Sequence, residues 1–225
     1  MSIIVVGPGR SGTNMALEIL RCSPSLEASS PAENKALFKM TNIPENYLTK
    51  CDTCYTCPEE VVSLLRSDEN VKLVWCIRDP RDMILSKMYR GRPREEGGDC
   101  NGLADDATLE GAVEDMNHAK SILDKLLIEE FMDRIFYLHM ESVITRTQKT
   151  INMLCSFLKI EYSPSMLEFY KTMRHPDKKA RYNKIDTSQV KLWERVNEVY
   201  DGYFKDMNTK RLFKAVEGFT KFYGY

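Results

Sequence analysis

Residues 3–14 read IIVVGPGRSGTN, a short β-branched run that passes directly into a glycine-rich turn. The apolar residues that follow recur at helical spacing: Met15, Ala16, Ile19 and Leu20. In a strand–loop–helix unit of this kind, glycines let the backbone approach a ligand, and the helix N-terminus adds partial positive charge. The stretch therefore predicts an anion-binding loop between a strand over residues 3–6 and a helix over residues 13–22.

The remainder of the chain alternates strand-like and helix-like segments. Apolar runs predict further strands over residues 36–40, 71–77 and 135–138. Helices are predicted, in chain order, from Pro58, from Pro80, over residues 109–127, over residues 142–158, from Ser163 and over residues 212–219. We therefore expect a single α/β domain over residues 1–225, with a central, mainly parallel sheet flanked by helices.

The composition argues against several classes of protein. Lys and Arg total 32 against 33 Asp and Glu, and a net charge of −1 is unlike that of a nucleic-acid coat protein. The chain has no run of about 18 apolar residues that would span a membrane, and its apolar N-terminal stretch is too short for a signal peptide. The seven cysteines are unevenly spread, which favours reduced thiols in the cytoplasm.

The glycine loop departs from the loop of nucleotide hydrolases. Gly7 and Gly12 have the G-x-x-x-x-G spacing of a Walker loop, but Thr13 and Asn14 stand where that loop has its lysine and its magnesium-binding Ser/Thr. A cation, Arg10, lies inside the loop instead. An ATP or GTP hydrolase needs the missing groups, so the sequence argues against such an enzyme. A structural turn with incidental glycines is the alternative interpretation.

A second cluster follows the strand predicted over residues 71–77. Residues 76–86 read CIRDPRDMILS, which puts Arg78 at the end of the strand and Ser86 two turns into the next helix. An Arg fork and a Ser hydroxyl at these places can converge on one phosphate. The alternative is a surface ion-pair network among Arg78, Asp79, Arg81 and Asp82.

Together the two clusters resemble the sulfotransferase family, whose members use 3′-phosphoadenosine 5′-phosphosulfate as sulfuryl donor. The first cluster resembles the family's 5′-phosphosulfate loop, which implies donor contacts from Gly9, Arg10, Ser11, Gly12, Thr13 and Asn14. The second resembles its 3′-phosphate motif, R-[DN]-P-[RK]-D with a serine eight residues after the first Arg, here Arg78 and Ser86. The resemblance implies a P-loop NTPase-like fold and in-line transfer of a sulfuryl group to a hydroxyl or amine without a metal.

Two later segments also resemble the family. HMESV at residues 139–143 is similar to its Y-E-D-L segment. ARYNKI at residues 180–185 is similar to the G-R-W-x-x-x-L segment that closes over the donor, with Ala and Tyr in place of Gly and Trp. This second similarity implies donor contacts from Arg181, Tyr182 and Lys184.

The acceptor needs a general base. Many relatives place a His in a K-T-H segment after the second strand, where this chain has KMTN at residues 39–42. Other branches of the family use a Glu just upstream of that strand. We therefore expect Glu33 to act as the base, Lys39 to contact the sulfuryl group, and Arg10 to stabilise the leaving 5′-phosphate. The alternative for Glu33 is an exposed acid without a catalytic role.

Other features leave alternatives open. The CxxCxxC pattern at residues 51–57 fits a metal site or a disulfide, although a reduced loop near the acceptor is favoured. The acceptor can be a small molecule, carbohydrate, lipid or peptide, with contacts expected from residues 42–58 and 91–106. The competing functions are a nucleotide or small-molecule kinase and a silent module that binds adenosine 3′,5′-bisphosphate.

Overall fold

A four-stranded, all-parallel sheet forms the centre of the protein, in the order β2-β1-β3-β4. The computed structural model describes residues 1–26, 34, 37–39, 43–91, 108–172 and 190–225. The strands are β1 (Ser2–Gly7), β2 (Leu48–Asp52), β3 (Val71–Ile77) and β4 (Ile135–His139). The predicted α/β architecture with a mainly parallel sheet is confirmed.

The strands are apolar on both faces because each face of the sheet is covered. Ile4 and Trp75 belong to one buried cluster, while Ile3 and Val74 belong to another on the opposite face. Continuous apolar strands of this kind are typical of parallel sheets with helices on both sides. This explains why the runs at residues 3–6 and 71–77 could be predicted as strands.

Helices connect and cover the strands. They are α1 (Thr13–Leu20), α2 (Pro58–Ser67), α3 (Pro80–Gly91), α4 (Leu109–Ile128), α5 (Met140–Thr145), α6 (Thr147–Leu158), α7 (Phe169–Thr172), α8 (Val196–Val199), α9 (Thr209–Ala215) and α10 (Glu217–Tyr223). The predicted helix starts at Pro58 and Pro80 and the long helix over residues 109–127 are confirmed. In the described ranges, no helix has the length and apolar character needed to cross a membrane.

The predicted second strand over residues 36–40 is wrong. Leu37–Lys39 forms a 3₁₀ helix, and the strand that pairs with β1 is β2, in the register Ile3↔Leu48 to Gly7↔Asp52. A short apolar run cannot distinguish a strand from a buried turn of helix, and Leu37 is fully buried. The strand β2 reads LTKCD. A search for apolar runs misses it because it contains polar residues.

Two predicted helices are each divided in the structure. The helix predicted over residues 142–158 begins at Met140 and is interrupted at Arg146, whose backbone leaves the helical region (φ −136°, ψ 43°). The helix predicted over residues 212–219 is divided at Val216 into α9 and α10. The apolar spacing survives both interruptions, since Ile151, Leu158, Leu212 and Phe219 are buried as expected.

Candidate active site

The glycine loop leaves the carboxyl end of β1 and leads into α1. A Cβ atom on Gly7 would lie 2.6 Å from the Ser11 Oγ and 2.8 Å from the carbonyl oxygen of Cys76 in β3, so a side chain does not fit there. Gly12 caps α1 with φ 102°, a left-handed conformation that favours glycine. Gly7 and Gly12 are therefore each required by the backbone geometry, and the interpretation as an incidental turn loses its support.

Polar groups of the loop are arranged to accept an anion. The Ser11 side chain is buried, and its Oγ has no hydrogen-bond partner among the described residues. The amide groups in the first turn of α1 have no intrahelical acceptor, and the helix N-terminus adds partial positive charge. Buried polar atoms normally have partners, so the Ser11 hydroxyl is consistent with a ligand oxygen bound at this loop.

Arg10 joins the loop to the second cluster. Its backbone is left-handed (φ 72°), and its Nε donates a hydrogen bond of 3.1 Å to Ser86 Oγ on α3. Arg78 follows the end of β3 and is buried, with its Nη2 3.7 Å from Asp82 Oδ2. Burial raises the pKa of Tyr200 to about 12, and this tyrosine lies close enough to Arg78 and Arg10 for both charges to oppose the rise. The structure thus brings the two predicted anion motifs together.

The acids of the second cluster hold its turn in place. Asp79 accepts two hydrogen bonds from the Arg81 guanidinium, which stacks 3.8 Å from the centre of the Trp193 ring. Asp82 is fully buried and accepts a hydrogen bond of 2.8 Å from the Trp193 amide. The ion pairs of the alternative interpretation therefore exist, but they lie at the base of the site rather than in a surface network.

The segment at residues 139–143 supports the same turn. Glu141 Oε1 accepts a hydrogen bond of 2.9 Å from the Asp79 amide, and Glu141 Oε2 accepts one from the Tyr225 hydroxyl. His139 Nδ1 lies 3.3 Å from that hydroxyl, and burial lowers the pKa of His139. Glu141 thus positions the backbone between Arg78 and Pro80 from the neighbouring strand end.

Sequence reasoning missed a buried ion pair beneath the loop. Asp115 Oδ2 on α4 lies 2.8 Å from Lys87 Nζ on α3 and accepts a hydrogen bond of 3.2 Å from the Gly9 amide. Both charged side chains are almost completely buried, with 4% and 8% exposure. Asp115 lies three residues after Ala112 and four before Ala119, on the buried face of α4. An acid at a position where the helical spacing predicts a buried residue was the signal from which this ion pair could have been inferred.

Among the remaining predicted site residues, only Lys39 lies within the described ranges. Lys39 was expected to follow the second strand, but it lies in the 3₁₀ helix that precedes β2. The strand end instead carries Lys50 and Asp52, where Asp52 Oδ1 accepts hydrogen bonds of 2.9 Å from Thr13 Oγ1 and 3.1 Å from Lys50 Nζ. The predicted contacts Glu33, Arg181, Tyr182 and Lys184 lie outside the described residues.

The cysteine pattern is dispersed over three structural positions. Cys51 is buried in β2, Cys54 is exposed, and Cys57 caps α2. Across the part of the chain that the structure describes, no group of three His, Cys, Asp or Glu side chains is placed to hold a metal ion.

A glycine-rich loop between a parallel strand and a helix, joined through Arg10 to the helix after the next strand, is typical of an α/β protein of the P-loop type. The family model described as "Sulfotransferase domain" matches residues 1–197. The chain therefore belongs to the sulfotransferase family, which confirms the resemblance seen in its motifs and makes the protein a transferase. No curated protein sequence matches the chain significantly.

Solved structures agree on the fold. The sulfotransferase domain from the curacin biosynthetic pathway has a TM-score of 0.66 at 17% identity, covering 96% of this chain and 97% of that one. The sulfotransferase domain of the Synechococcus PCC 7002 olefin synthase has a TM-score of 0.60 at 13% identity, covering 86% of each chain. Mouse sulfotransferase SULT7A1 complexed with PAP has a TM-score of 0.56 at 15% identity, covering 95% of this chain and 88% of that one.

The buried pair beneath the loop gives a first prediction. The Asp115→Asn substitution should lower the free energy of unfolding by about 3 kcal/mol, because the Lys87 ammonium then stays buried without its carboxylate. The Lys87→Met, Asp115→Asn double variant should lose less than the sum of the two single variants, since it removes both charges. Urea unfolding of the four proteins measures this coupling, and strictly additive losses would contradict it.

The buried carboxylate of Asp82 gives a second prediction. Burial raises its pKa from 3.8 to about 6, and the charge of Arg78 opposes this rise. Between these two pH values the folded protein holds more protons than the unfolded chain, so the contribution of Asp82 to stability falls as the pH rises through this window. The Asp82→Asn variant should therefore gain stability relative to the wild type by up to about 3 kcal/mol across it.

Urea unfolding at several pH values tests the Asp82 prediction. The exposed Asp206 provides the matched control, because Asp206→Asn removes one carboxylate without changing the buried turn. A constant difference in stability between Asp82→Asn and the wild type at every pH would show that this carboxylate has the same pKa in the folded and unfolded states.

Proposed function

We propose that this sulfotransferase uses 3′-phosphoadenosine 5′-phosphosulfate as donor and transfers its sulfuryl group in line to a hydroxyl or amine. The observation that carries the proposal is the hydrogen bond between Arg10 Nε and Ser86 Oγ, which joins the two anion motifs across adjacent strands. A donor with a phosphosulfate at one end and a phosphate at the other needs two anion sites close together. The complex of mouse SULT7A1 with PAP, adenosine 3′,5′-bisphosphate, supports this choice of donor.

The loop residues are assigned to the phosphosulfate end of the donor. Amides around Ser11 to Asn14 and the Ser11 hydroxyl are expected to bind the 5′-phosphate, with help from the Thr13 and Asn14 side chains and with Gly9 and Arg10 alongside. The lack of a partner for the buried Ser11 hydroxyl among the described residues supports this assignment. Gly7 and Gly12 keep Cβ atoms out of the space where the loop turns.

Arg10 is the cation assigned to the reacting centre. As the acceptor oxygen forms its bond to sulfur, the bond between sulfur and the 5′-phosphate oxygen breaks, and its electron pair stays on the phosphate. A guanidinium positioned before the reaction stabilises this developing charge without reorganising solvent. Positioning and charge stabilisation then account for most of the catalysis, and the chemistry requires no metal.

The second cluster is assigned to the 3′-phosphate of the donor. Arg78 and Ser86 are expected to bind it by a guanidinium fork and a hydroxyl, and the burial of Arg78 and its placement by Asp82 support a fixed cation there. Arg181, Tyr182 and Lys184 are proposed to close over the donor. Glu33 and Lys39 remain the base and sulfuryl contact that the sequence predicts.

The acceptor is proposed to be a hydroxyl or amine of a small molecule, carbohydrate, lipid or peptide, and the reaction is proposed to take place in the cytoplasm. The even charge balance of the chain does not favour a nucleic-acid substrate. A kinase would instead need ATP with magnesium, and Thr13 and Asn14 replace the residues that such an enzyme uses. A silent module would bind the bisphosphate without transferring a sulfuryl group.

Calorimetric titration separates the proposed donor site from the nucleotide site of a kinase. The wild-type protein should bind adenosine 3′,5′-bisphosphate equally well with and without magnesium, and the Arg78→Ala, Ser86→Ala double variant should bind it about 10- to 100-fold more weakly, because charge-assisted hydrogen bonds are lost. The exposed Arg211 on α9 gives the matched control Arg211→Ala, which should bind like the wild type. Magnesium-dependent binding of ATP in place of the bisphosphate would contradict the proposal.

The Arg10→Ala variant tests catalysis separately from binding. It should still bind the bisphosphate through the second cluster, while transfer from the sulfated donor should fall by about 100- to 1,000-fold because a charge-stabilising donor is removed. Transfer is measured as formation of the bisphosphate from the sulfated donor. Unchanged transfer in this variant would remove Arg10 from the reacting centre.

A further inference from the structure

The transfer reaction requires a group that takes the proton of the acceptor, and among the four acids of the described site that pair with a Lys or Arg, only Asp52 is partly open to solvent. Asp79 is held by Arg81, Asp82 by Arg78, and Asp115 by Lys87, and all three acids are buried or nearly so. Glu141 holds the Asp79 amide. The Asp52 side chain keeps 22% of its surface exposed, so it can meet a molecule that arrives from solvent.

Asp52 stands level with the start of the anion-binding loop. It is the last residue of β2 and is paired in register with Gly7, the last residue of β1. Its Oδ1 accepts a hydrogen bond of 2.9 Å from the hydroxyl of Thr13, the first residue of α1. The carboxylate is therefore fixed against the helix N-terminus that carries the proposed phosphosulfate site.

Lys50 accompanies this carboxylate on the same face of β2. The two residues are separated by one position, so their side chains point to the same side of the strand, and Lys50 Nζ lies 3.1 Å from Asp52 Oδ1. The Lys50 side chain is 4% exposed. Both contacts use Oδ1, and Asp52 Oδ2 accepts no hydrogen bond from any described residue, which leaves one oxygen for an incoming donor.

We propose that Asp52 is the general base that takes the acceptor proton and that Lys50 is a positioning residue that holds this carboxylate in place. The inference rests on the proposed function and names the group that activates the acceptor. It names the end of the strand that the structure identifies as the second one as an alternative to Glu33, the base predicted from the sequence. A carboxylate replaces the histidine that many relatives carry after their second strand.

The proposed step balances in atoms and charge. The acceptor O–H proton passes to Asp52 Oδ2, and the acceptor oxygen forms a bond to sulfur. The bond between sulfur and the 5′-phosphate oxygen breaks, with its electron pair remaining on the phosphate beside Arg10. Asp52 then returns the proton to solvent, and Lys50 remains an ammonium group throughout.

Two titratable groups act on Asp52 from the described surroundings. One is the Lys50 ammonium on β2, and the other is the Cys76 thiol on the neighbouring part of β3. Burial and the negative charge of Asp52 raise the pKa of Cys76, while Lys50 opposes this rise. Cys76 is therefore a neutral thiol under ordinary conditions and does not compete as the base.

The experiment compares Asp52→Asn with the wild-type protein, using 3′-phosphoadenosine 5′-phosphosulfate as donor and water or phenol as acceptor probes. The rate of bisphosphate formation should fall at least about 100-fold in Asp52→Asn, while calorimetry should show unchanged binding of adenosine 3′,5′-bisphosphate. The loss of rate at acid pH that marks ionisation of a base should disappear in this variant. Asp52→Glu should restore part of the rate.

Two further variants provide the rival and the control. Glu33→Gln tests the base predicted from the sequence, and Glu45→Gln removes an exposed carboxylate just before the opposite end of β2. Glu45→Gln should react like the wild type, and Glu33→Gln should lose less rate than Asp52→Asn. Equal rates in Asp52→Asn and the wild type would overturn the proposal, as would a rate loss confined to Glu33→Gln or a parallel loss of bisphosphate binding in Asp52→Asn. Failure of the wild type to bind the bisphosphate would contradict the proposed function instead.

Discussion

The parallel pairing of β1 with its two neighbours brings the glycine loop, the end of β2 and the segment after β3 to one edge of the sheet. Because parallel strands all end at the same edge of a sheet, the residues that follow β1, β2 and β3 meet there. The close contact between Gly7 and the Cys76 carbonyl keeps the first turn of the loop against β3. This contact explains how Arg10 can reach Ser86 on the helix that follows β3.

Charge at this edge is organised in pairs of buried or partly buried groups. Lys50 with Asp52, Arg78 with Asp82, Arg81 with Asp79, and Lys87 with Asp115 form four such pairs. A buried pair gains little net stability, because desolvation offsets the attraction between the charges. We therefore explain the pairs by the positioning of charged groups rather than by stability. Each carboxylate fixes a cation, or the loop itself, before a multiply charged donor binds.

The sequence predicts the parts of the fold that depend on apolar patterns. The runs at residues 3–6 and 71–77 became β1 and β3 because both faces of these strands are buried, and the glycine loop and the RDPRD segment were identified because their chemistry depends on local spacing. β2 was missed because Thr49, Lys50 and Asp52 interrupt its apolar character. The partnership of Lys87 and Asp115 with Gly9 could not be predicted, since it joins residues 106 positions apart in the chain.

The order β2-β1-β3 gives the proposed reaction a direction. The second cluster follows β3 on one side of the loop, and Lys50 and Asp52 end β2 on the other. A donor held between Arg10 and Arg78 would extend toward β3, so its sulfuryl end would face the helix residue Thr13 and the carboxylate bound to it. In-line displacement needs the nucleophile opposite the leaving phosphate, and the proposed arrangement assigns that place to an acceptor approaching over β2. The same strand order thus separates donor binding from proton removal while keeping both within reach of one loop.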